Sequence, residues 1–182
     1  MPGIFNRMPG FFVRKKLFMI SALIVLVLAA CPVDTLAVRG FKKGDIRHVS
    51  RVSNGEPIVF SYIHSVSKTP IEETLEVSNG KIRLVKVSYT DQGGAGMPEF
   101  EWGSEKFKIE GGKFVLEGFQ REFKSMNITV QRAYDDRLEI GDEAIELIQI
   151  AREGENIRVS VERTMLAAYL FEEIASGLKA NI

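Results

Sequence analysis

The segment "LEVSNGKIRLVK", residues 75–86, carries the clearest indication of the fold. Asn79 and Gly80 separate two runs in which apolar and polar residues alternate. This dipeptide is typical of a two-residue β-hairpin turn, because both central residues must adopt positive φ. The pairs expected across the hairpin are Leu75 with Leu84, Val77 with Ile82, Glu76 with Arg83, and Glu73 with Lys86. Facing opposite charges stabilise such a ladder by about 0.2–1 kcal/mol per pair.

The same alternation recurs along most of the chain. Gly111 and Gly112 predict a second hairpin. Its expected pairs are Ile109 with Phe114 and Phe107 with Leu116. Further strands are expected at residues 57–64, 128–130, 145–150 and 157–161. In 145–150 the alternation slips at Leu147 and Ile148, which suggests a bulge or burial on both faces. Seven or eight short strands predict a mainly β fold, an antiparallel β-sandwich or barrel built from hairpins.

A short helix is expected at the C-terminus. Thr164 is a suitable N-cap. The apolar residues that follow recur at four-residue intervals, with Phe171 beside them: Leu166, Leu170, Ile174 and Leu178. We expect this amphipathic helix to close one end of the barrel by packing on the core. The alternative is a docking surface for another membrane component.

The N-terminus has the pattern of a secretory signal or membrane anchor, which we assign to residues 1–33. A basic lead without acidic residues precedes an apolar run over residues 17–30. The string "LAAC", residues 28–31, resembles a bacterial lipobox, in which Cys31 is acylated and becomes the new N-terminus. The alternative is an uncleaved single-span anchor. Residues 34–50 are then a tether, and residues 51–182 are a β-rich domain in the periplasm or at the cell surface.

The charge of the exported part limits the classes of partner. The chain has 24 Lys and Arg and 24 Asp and Glu, and the leader contains four of the basic residues and no acidic one. The rest therefore has a net charge of about 20 minus 24, or −4. Nucleic-acid binding is not expected, because no basic face is available for the phosphates. Cys31 is the only cysteine, so no internal disulfide supports the fold.

One of the two histidines lies in the segment "YIHSVSKTPIEE", residues 62–73. His64 and Ser65 are adjacent on a predicted strand and point to opposite faces, so they do not form a catalytic dyad. Glu73 meets His64 only if the intervening turn folds the two strands side by side. Such a pair has neither a nucleophile nor enough ligands for zinc. The sequence predicts no catalytic residue, no metal site and no cofactor. The second histidine, His48, is expected to face solvent near the tether.

A glycine-rich string, "GGAGMP", occupies residues 93–98. It lacks the Lys-Ser/Thr ending of a phosphate-binding loop, and it opens no helix. Gly94 and Gly96 allow positive φ and exposed amides, which suit a loop that cradles a carboxylate or approaches a partner backbone closely. The alternative is a plain connection that ends at Pro98.

The two strings together resemble a bacterial family, the domain of unknown function 1850. The matching positions are His64, Ser65, Val66, Pro70, Glu73, Gly94, Gly96 and Pro98. The resemblance implies a small exported or membrane-tethered protein. It also implies association with TRAP transporters of the TAXI type, in which an extracytoplasmic solute receptor serves an ion-driven permease. It implies no particular reaction.

We therefore expect a non-enzymatic, membrane-tethered accessory protein outside the cytoplasm. In this interpretation His64, Glu73 and the loop at residues 94–98 form one surface. That surface binds the transporter permease, its solute receptor or a small anionic solute. One alternative is an envelope hydrolase or isomerase with His64 as general base and Glu73 as its orienting partner. A purely structural role for both motifs is a third possibility.

Overall fold

The computed structural model describes residues 10–90 and 106–180 of the chain. The helices are α1 (Gly10–Ala29), α2 (Leu147–Ile150) and α3 (Leu166–Ala180), with a 3-10 turn at Arg132–Tyr134. The strands are β1 (Pro32–Gly40), β2 (Ile46–Val52), β3 (Pro57–Ile63), β4 (Pro70–Ser78), β5 (Lys81–Tyr89), β6 (Lys106–Glu110), β7 (Lys113–Glu117), β8 (Glu122–Phe123), β9 (Ser125–Thr129), β10 (Arg137–Ile140), β11 (Glu143–Glu146) and β12 (Asn156–Met165).

The strands form two antiparallel sheets. The smaller sheet has four strands in the order β2-β1-β12-β9. The larger has the order β11-β10-β3-β4-β5-β7-β6, with β8 also paired to β5. Apolar side chains from both sheets form a single buried core, including Leu36 and Ile157 from the smaller sheet and Ile58 and Leu138 from the larger. The predicted mainly β, antiparallel sandwich is confirmed, and the two sheets do not close into a barrel.

The hairpin at Asn79 and Gly80 has the predicted turn and most of the predicted register. The two residues have φ of 50° and 77°. Three predicted pairs are confirmed, namely Leu75 with Leu84, Glu76 with Arg83, and Val77 with Ile82. The predicted pairing of Glu73 with Lys86 is wrong. One extra residue in β5, between Leu84 and Lys86, shifts the register so that Lys86 lies opposite Thr74 and Val87 opposite Glu73.

The second hairpin is also confirmed, with Ile109 opposite Phe114 and Phe107 opposite Leu116. In contrast, the expected strand at residues 145–150 ends at Glu146, and a single helical turn follows. Leu147, the first residue of that turn, is fully buried. The slip in alternation at Leu147 therefore marks a change from strand to helix, rather than a bulge.

Residues 34–50, predicted as a tether, lie in the folded domain. They include most of β1 and β2, and β1 is hydrogen-bonded to β12 on one side and to β2 on the other. The side chains of Leu36, Ala37 and Val38 are completely buried. The predicted domain boundary therefore moves from residue 51 to residue 32. The basic residues between residues 39 and 51 lie mainly at the ends and the edge of this buried strand pair.

The C-terminal helix is present, but β12 extends through Met165 and α3 begins at Leu166, two residues after the predicted cap. α3 lies against β2. Contrary to the prediction, Leu170 and Ile174 are exposed, while Ser176 on the other side of the helix is buried. Within residues 10–90 and 106–180, no helix is both long enough and apolar enough to cross a membrane.

Candidate functional site

His64 organises the tight turn that joins β3 to β4. Its backbone N–H donates to the Thr69 carbonyl at 2.9 Å, and its carbonyl accepts from the Lys68 N–H at 3.0 Å. Its ring Nδ1 accepts the Ser67 backbone N–H at 3.2 Å and lies 2.9 Å from the Ser67 hydroxyl. Because Nδ1 is an acceptor, a neutral His64 carries its proton on Nε2. The imidazole ring thus supplies an acceptor for a backbone N–H of the turn that would otherwise lack a partner.

The turn presents three of its residues to solvent, namely Ser65, Val66 and Lys68. Ser65 and Val66 are both exposed, and 71% of the Val66 surface is accessible. Below them, the Ser67 hydroxyl lies 2.8 Å from the Thr69 hydroxyl, so the base of the turn is tied by side-chain hydrogen bonds. The predicted site residue Ser65 therefore lies at the tip of a braced turn, where its side chain is available to a partner.

Glu73 has a different environment, on the core face of the larger sheet. The Tyr62 hydroxyl donates to Glu73 Oε1 at 3.1 Å. Burial raises the pKa of Glu73, and the hydrogen bond from Tyr62 offsets part of that rise. Burial also raises the pKa of Tyr62, as do the nearby charges of Glu73 and Asp136. A carboxylate in this position loses hydration, so the folded domain holds the Glu73 proton more tightly than the unfolded chain does.

The predicted meeting of His64 and Glu73 does not occur in this register. Glu73 lies opposite Phe60 on β3. Phe60 precedes His64 by four residues, which is about 13 Å along an extended strand. His64 bonds to Ser67, and Glu73 bonds to Tyr62. The other predicted site residues, Gly94, Gly96 and Pro98, lie outside the described residues.

Cys31, the predicted site of lipid attachment, lies on the surface between α1 and β1. Its N–H donates to the Leu28 carbonyl at 3.1 Å, which continues the end of α1. Its carbonyl accepts the Leu166 N–H at 2.9 Å. The first residue of α3 is therefore fixed beside the point where the N-terminal helix meets the domain.

A polar cluster that the sequence did not predict joins the two sheets at one edge. His48 Nε2 lies 2.7 Å from Ser50 Oγ on β2, the edge strand of the smaller sheet. Ser50 Oγ donates to Glu143 Oε2 at 2.7 Å on β11, the edge strand of the larger sheet. Only 8% of Ser50 is accessible. We call these three residues the edge cluster.

The edge cluster has the residue types of a serine hydrolase but a different geometry. In a catalytic triad the acid binds the histidine nitrogen remote from the serine, and the serine proton passes to the histidine. Here Glu143 Oε2 lies 3.3 Å from His48 Nε2, the same nitrogen that contacts Ser50. The Ser50 proton is directed to Glu143, and His48 donates to the serine oxygen. The arrangement stabilises the contact between the sheets.

The edge cluster lies in a cleft of about 450 Å³ between β2, β11 and α3. Tyr169 and Glu173 of α3 also line it. The Tyr169 hydroxyl bonds to Glu173, and its pKa is raised, chiefly by burial.

Alternation in "IRHVSRV" places His48 and Ser50 on one face of β2, a signal available in the sequence. Their partner on β11, 93 residues beyond Ser50, gives no local signal.

Two further clefts share Arg47 with the first. The second has a volume of about 500 Å³ and combines apolar side chains from β2 and α2 with the guanidinium groups of Arg132 and Arg152. The third, of about 430 Å³, lies beside Lys42 and Lys43. Arg47 itself is paired with Glu155 at 2.5 Å and with Asp45 at 3.2 Å. In the described part of the chain, no carboxylate forms a salt bridge with the side chain of Arg132 or Arg152. Glu153, which accepts the Arg132 backbone N–H at 3.1 Å, also lines the second cleft.

The described residues contain no group of three or more His, Cys, Asp and Glu side chains placed to hold a metal ion.

Replacing Ser50 by Ala will destabilise the domain by about 0.5–1.5 kcal/mol, the usual net contribution of a hydrogen bond. The change removes the buried hydroxyl that joins His48 to Glu143, while Glu143 stays hydrated and His48 keeps Glu143 3.3 Å away. Urea denaturation of both proteins measures the difference. Ser65→Ala, at the exposed tip of the β3–β4 turn, is the matched control and should change stability by no more than about 0.5 kcal/mol.

Glu73→Gln will change how stability depends on pH. Because the Glu73 pKa is raised in the folded protein, the folded state binds this proton more tightly than the unfolded state. Wild-type stability is therefore lost as the pH rises from the ordinary glutamate pKa through the raised one. Glutamine retains an acceptor for Tyr62 without this loss, so the variant gains stability relative to wild type as the pH rises. Urea denaturation between about pH 4 and pH 8 measures the change, a range that spans the ordinary glutamate pKa.

Glu162→Gln is a control for which the change in stability with pH should have the opposite sign. Hydrogen bonds from Arg39, at 2.7 and 2.9 Å, lower the pKa of Glu162. Its contribution to stability is present above the ordinary glutamate pKa and is lost as the pH falls through the lowered one. The variant is therefore weakened most near neutral pH. Parallel pH profiles for Glu73→Gln and Glu162→Gln would contradict the assigned environments.

The fold and these sites define a class of protein: an open antiparallel β-sandwich preceded by an apolar helix, with polar clefts along one edge. The model of a family described as Domain of unknown function (DUF1850) matches residues 58–147, so this part of the chain is similar to that family. The match spans β3 to the first residue of α2, so β1, β2, β12 and α3 lie outside it. Comparison with curated proteins and with solved structures gave no match.

Proposed function

We propose that the protein is a non-enzymatic accessory protein, tethered to the membrane with its β-sandwich outside the cytoplasm. It binds a component of a TRAP transporter of the TAXI type or a small anionic solute. The similarity of residues 58–147 to this family supports the proposal through the transporter association that the resemblance implies. The observation that most directly supports a membrane tether is the exposed apolar surface of the N-terminal helix.

α1 has few contacts with the sandwich and exposes apolar surface along its length. Every large apolar side chain from residue 17 to residue 28 is more than half accessible, from 53% at Ile24 to 74% at Phe18. Exposure of one such side chain to water costs about 1.5–3 kcal/mol relative to burial, so lipid is a far better environment for this segment. Either insertion of α1 or acylation of Cys31 would hold the domain at a membrane.

Two surfaces are suited to binding. The β3–β4 turn presents Ser65 and Val66 on a base braced by His64, which is a rigid platform for a protein partner. The second cleft combines an apolar wall with three arginines, Arg47, Arg132 and Arg152, against one acidic residue, Glu153. Guanidinium groups bind carboxylates bidentately, so this cleft suits a small carboxylate with an apolar part.

Co-purification of the tagged full chain from membranes in mild detergent tests the proposed partner. We expect a permease subunit or its solute receptor in the eluate. Val66→Asp, at the tip of the turn, should lose that subunit. Ile109→Asp, equally exposed on β6, is the matched control and should retain it. An eluate of the wild-type chain without any transporter subunit would refute the association, and equal recovery with both variants would exclude the turn as the contact.

The partners of His64 and Glu73 weigh against the alternative of an envelope hydrolase or isomerase. A general base needs a free acceptor and an orienting partner, whereas Nδ1 of His64 already accepts the Ser67 backbone N–H, and Glu73 bonds to Tyr62 and does not reach His64. Hydrolysis of esters or peptides by the purified chain, abolished by His64→Ala in a folded variant, would establish the enzyme instead.

A further inference from the structure

α3 exposes an apolar face that is continuous with the anchor region. Leu170, Phe171 and Ile174 are 47%, 75% and 65% accessible. On a helix, residues 170 and 174 are one turn apart, and residue 171 lies beside them. We call these three residues the α3 apolar face. Few apolar residues of this size remain on the surface of a folded domain as one contiguous group without a binding role.

The other side of α3 is occupied by the domain. Tyr169 and Ser176 line the cleft beside β2. Glu172 lies 3.7 Å from Arg39, and Glu173 bonds to Tyr169. Glu172 is therefore engaged with the sandwich, whereas Glu173 bonds within α3 on the side that lines the cleft, and the α3 apolar face carries no carboxylate. The helix cannot rotate to bury this face without breaking these contacts.

The position of the helix indicates what covers the apolar face. The Leu166 N–H donates to the Cys31 carbonyl at 2.9 Å, and α1 contacts α3. Residue 31 is the point from which the apolar helix leaves the domain, and it is also the residue that acylation would modify. With either form of tether, the start of α3 lies at the lipid surface. Apolar residues there partition into the interface in proportion to the area that they bury.

From this geometry we infer that the α3 apolar face binds the lipid bilayer and orients the sandwich on the membrane. The inference rests on the proposed tether, because the tether places α3 beside the lipid. It assigns the open clefts a fixed position relative to the membrane: they lie on the other side of α3, between the helix and the edges of the two sheets.

A fluorescent reporter tests this contact in the full chain. Trp102 is the only tryptophan, and a Trp102→Phe background allows single reporters to be introduced. Phe171→Trp places one on the α3 apolar face. Ile109→Trp is the matched control, because Ile109 is 67% accessible and lies on β6 at the far edge of the larger sheet. Six strand spacings separate β6 from β11, or about 29 Å.

The protein is reconstituted into phosphatidylcholine vesicles with and without bromine on the acyl chains, and vesicle flotation is measured on the same samples. We expect the chain to float with the vesicles. The emission of the reporter at residue 171 should shift to shorter wavelength and be mostly quenched by bromine, whereas the emission of the reporter at residue 109 should not change. Flotation without quenching at residue 171 would overturn the inference alone. Failure to float would overturn the tether as well. If bromine does not quench the reporter at residue 171, and chemical cross-links form between the α3 helices of two copies, the α3 apolar face would be assigned to a dimer instead.

Discussion

A chain that begins at Arg51 will not fold, whereas a chain that begins at Pro32 will. The shorter chain lacks β1, which pairs with β12 along nine residues and with β2 on its other side. Its loss exposes the buried side chains of Ile157 and Val159 and removes Leu36 and Val38 from the core. Burial of each large side chain stabilises the fold by about 1.5–3 kcal/mol, and small domains have only about 5–15 kcal/mol in total.

Circular dichroism and urea denaturation distinguish the two chains. The chain from Pro32 retains β1 to β12 and should show one cooperative transition, close to that of the full-length protein. The chain from Arg51 should show no cooperative transition. A cooperative transition of the shorter chain at the same midpoint would return residues 34–50 to the role of a tether and contradict the pairing of β1 with β12.

Leu138→Ala should destabilise the domain more than Ser50→Ala does, with a loss of about 2–5 kcal/mol. Leu138 is completely buried in β10, and it lies between Phe60 of β3 and Ile145 of β11. Truncation leaves a cavity where the larger sheet meets the core, and β10 also positions the strand that carries Glu143. The change therefore weakens both the core and the edge cluster.

Leu170→Ala is the matched control for this substitution. The same side chain is removed from a position that is 47% accessible, so the free energy of unfolding in solution should change by less than about 1 kcal/mol. Urea denaturation of the two variants under the same conditions gives both values. Equal losses at residues 138 and 170 would mean that the α3 apolar face is buried in solution.

Local signals in the sequence predicted the elements that local interactions determine. Asn79-Gly80 and Gly111-Gly112 each fix a hairpin, because the turn sets the register of the strands on both sides. The extra residue in β5 has no such signature, and it changed the partner of Glu73. Similarly, β1 looked like a linker because its principal partner, β12, lies more than 100 residues later in the chain.

In the candidate sites, too, the sequence predicted the local elements but not the contacts that depend on tertiary structure. The strand predicted at residues 57–64 ends at Ile63, so His64 and Ser65 lie in the turn, where alternation no longer determines the direction of a side chain. The sequence did not reveal that Ser67 would bind the His64 ring, or that Tyr62 would hold Glu73, since both contacts depend on the shape of the turn and on burial.

The edge cluster could not be predicted either. Its members on β2, His48 and Ser50, meet Glu143 only after the two sheets have packed. Alternation along β2 indicates that the two residues share a face, but it does not indicate which distant strand that face will contact.

Mass spectrometry of the mature chain isolated from membranes tests the tether most directly. We expect a membrane-bound chain that either begins at an acylated Cys31 or retains the apolar segment at residues 17–30. A chain that begins beyond Cys31, carries no lipid and is recovered in the soluble fraction would contradict the tether.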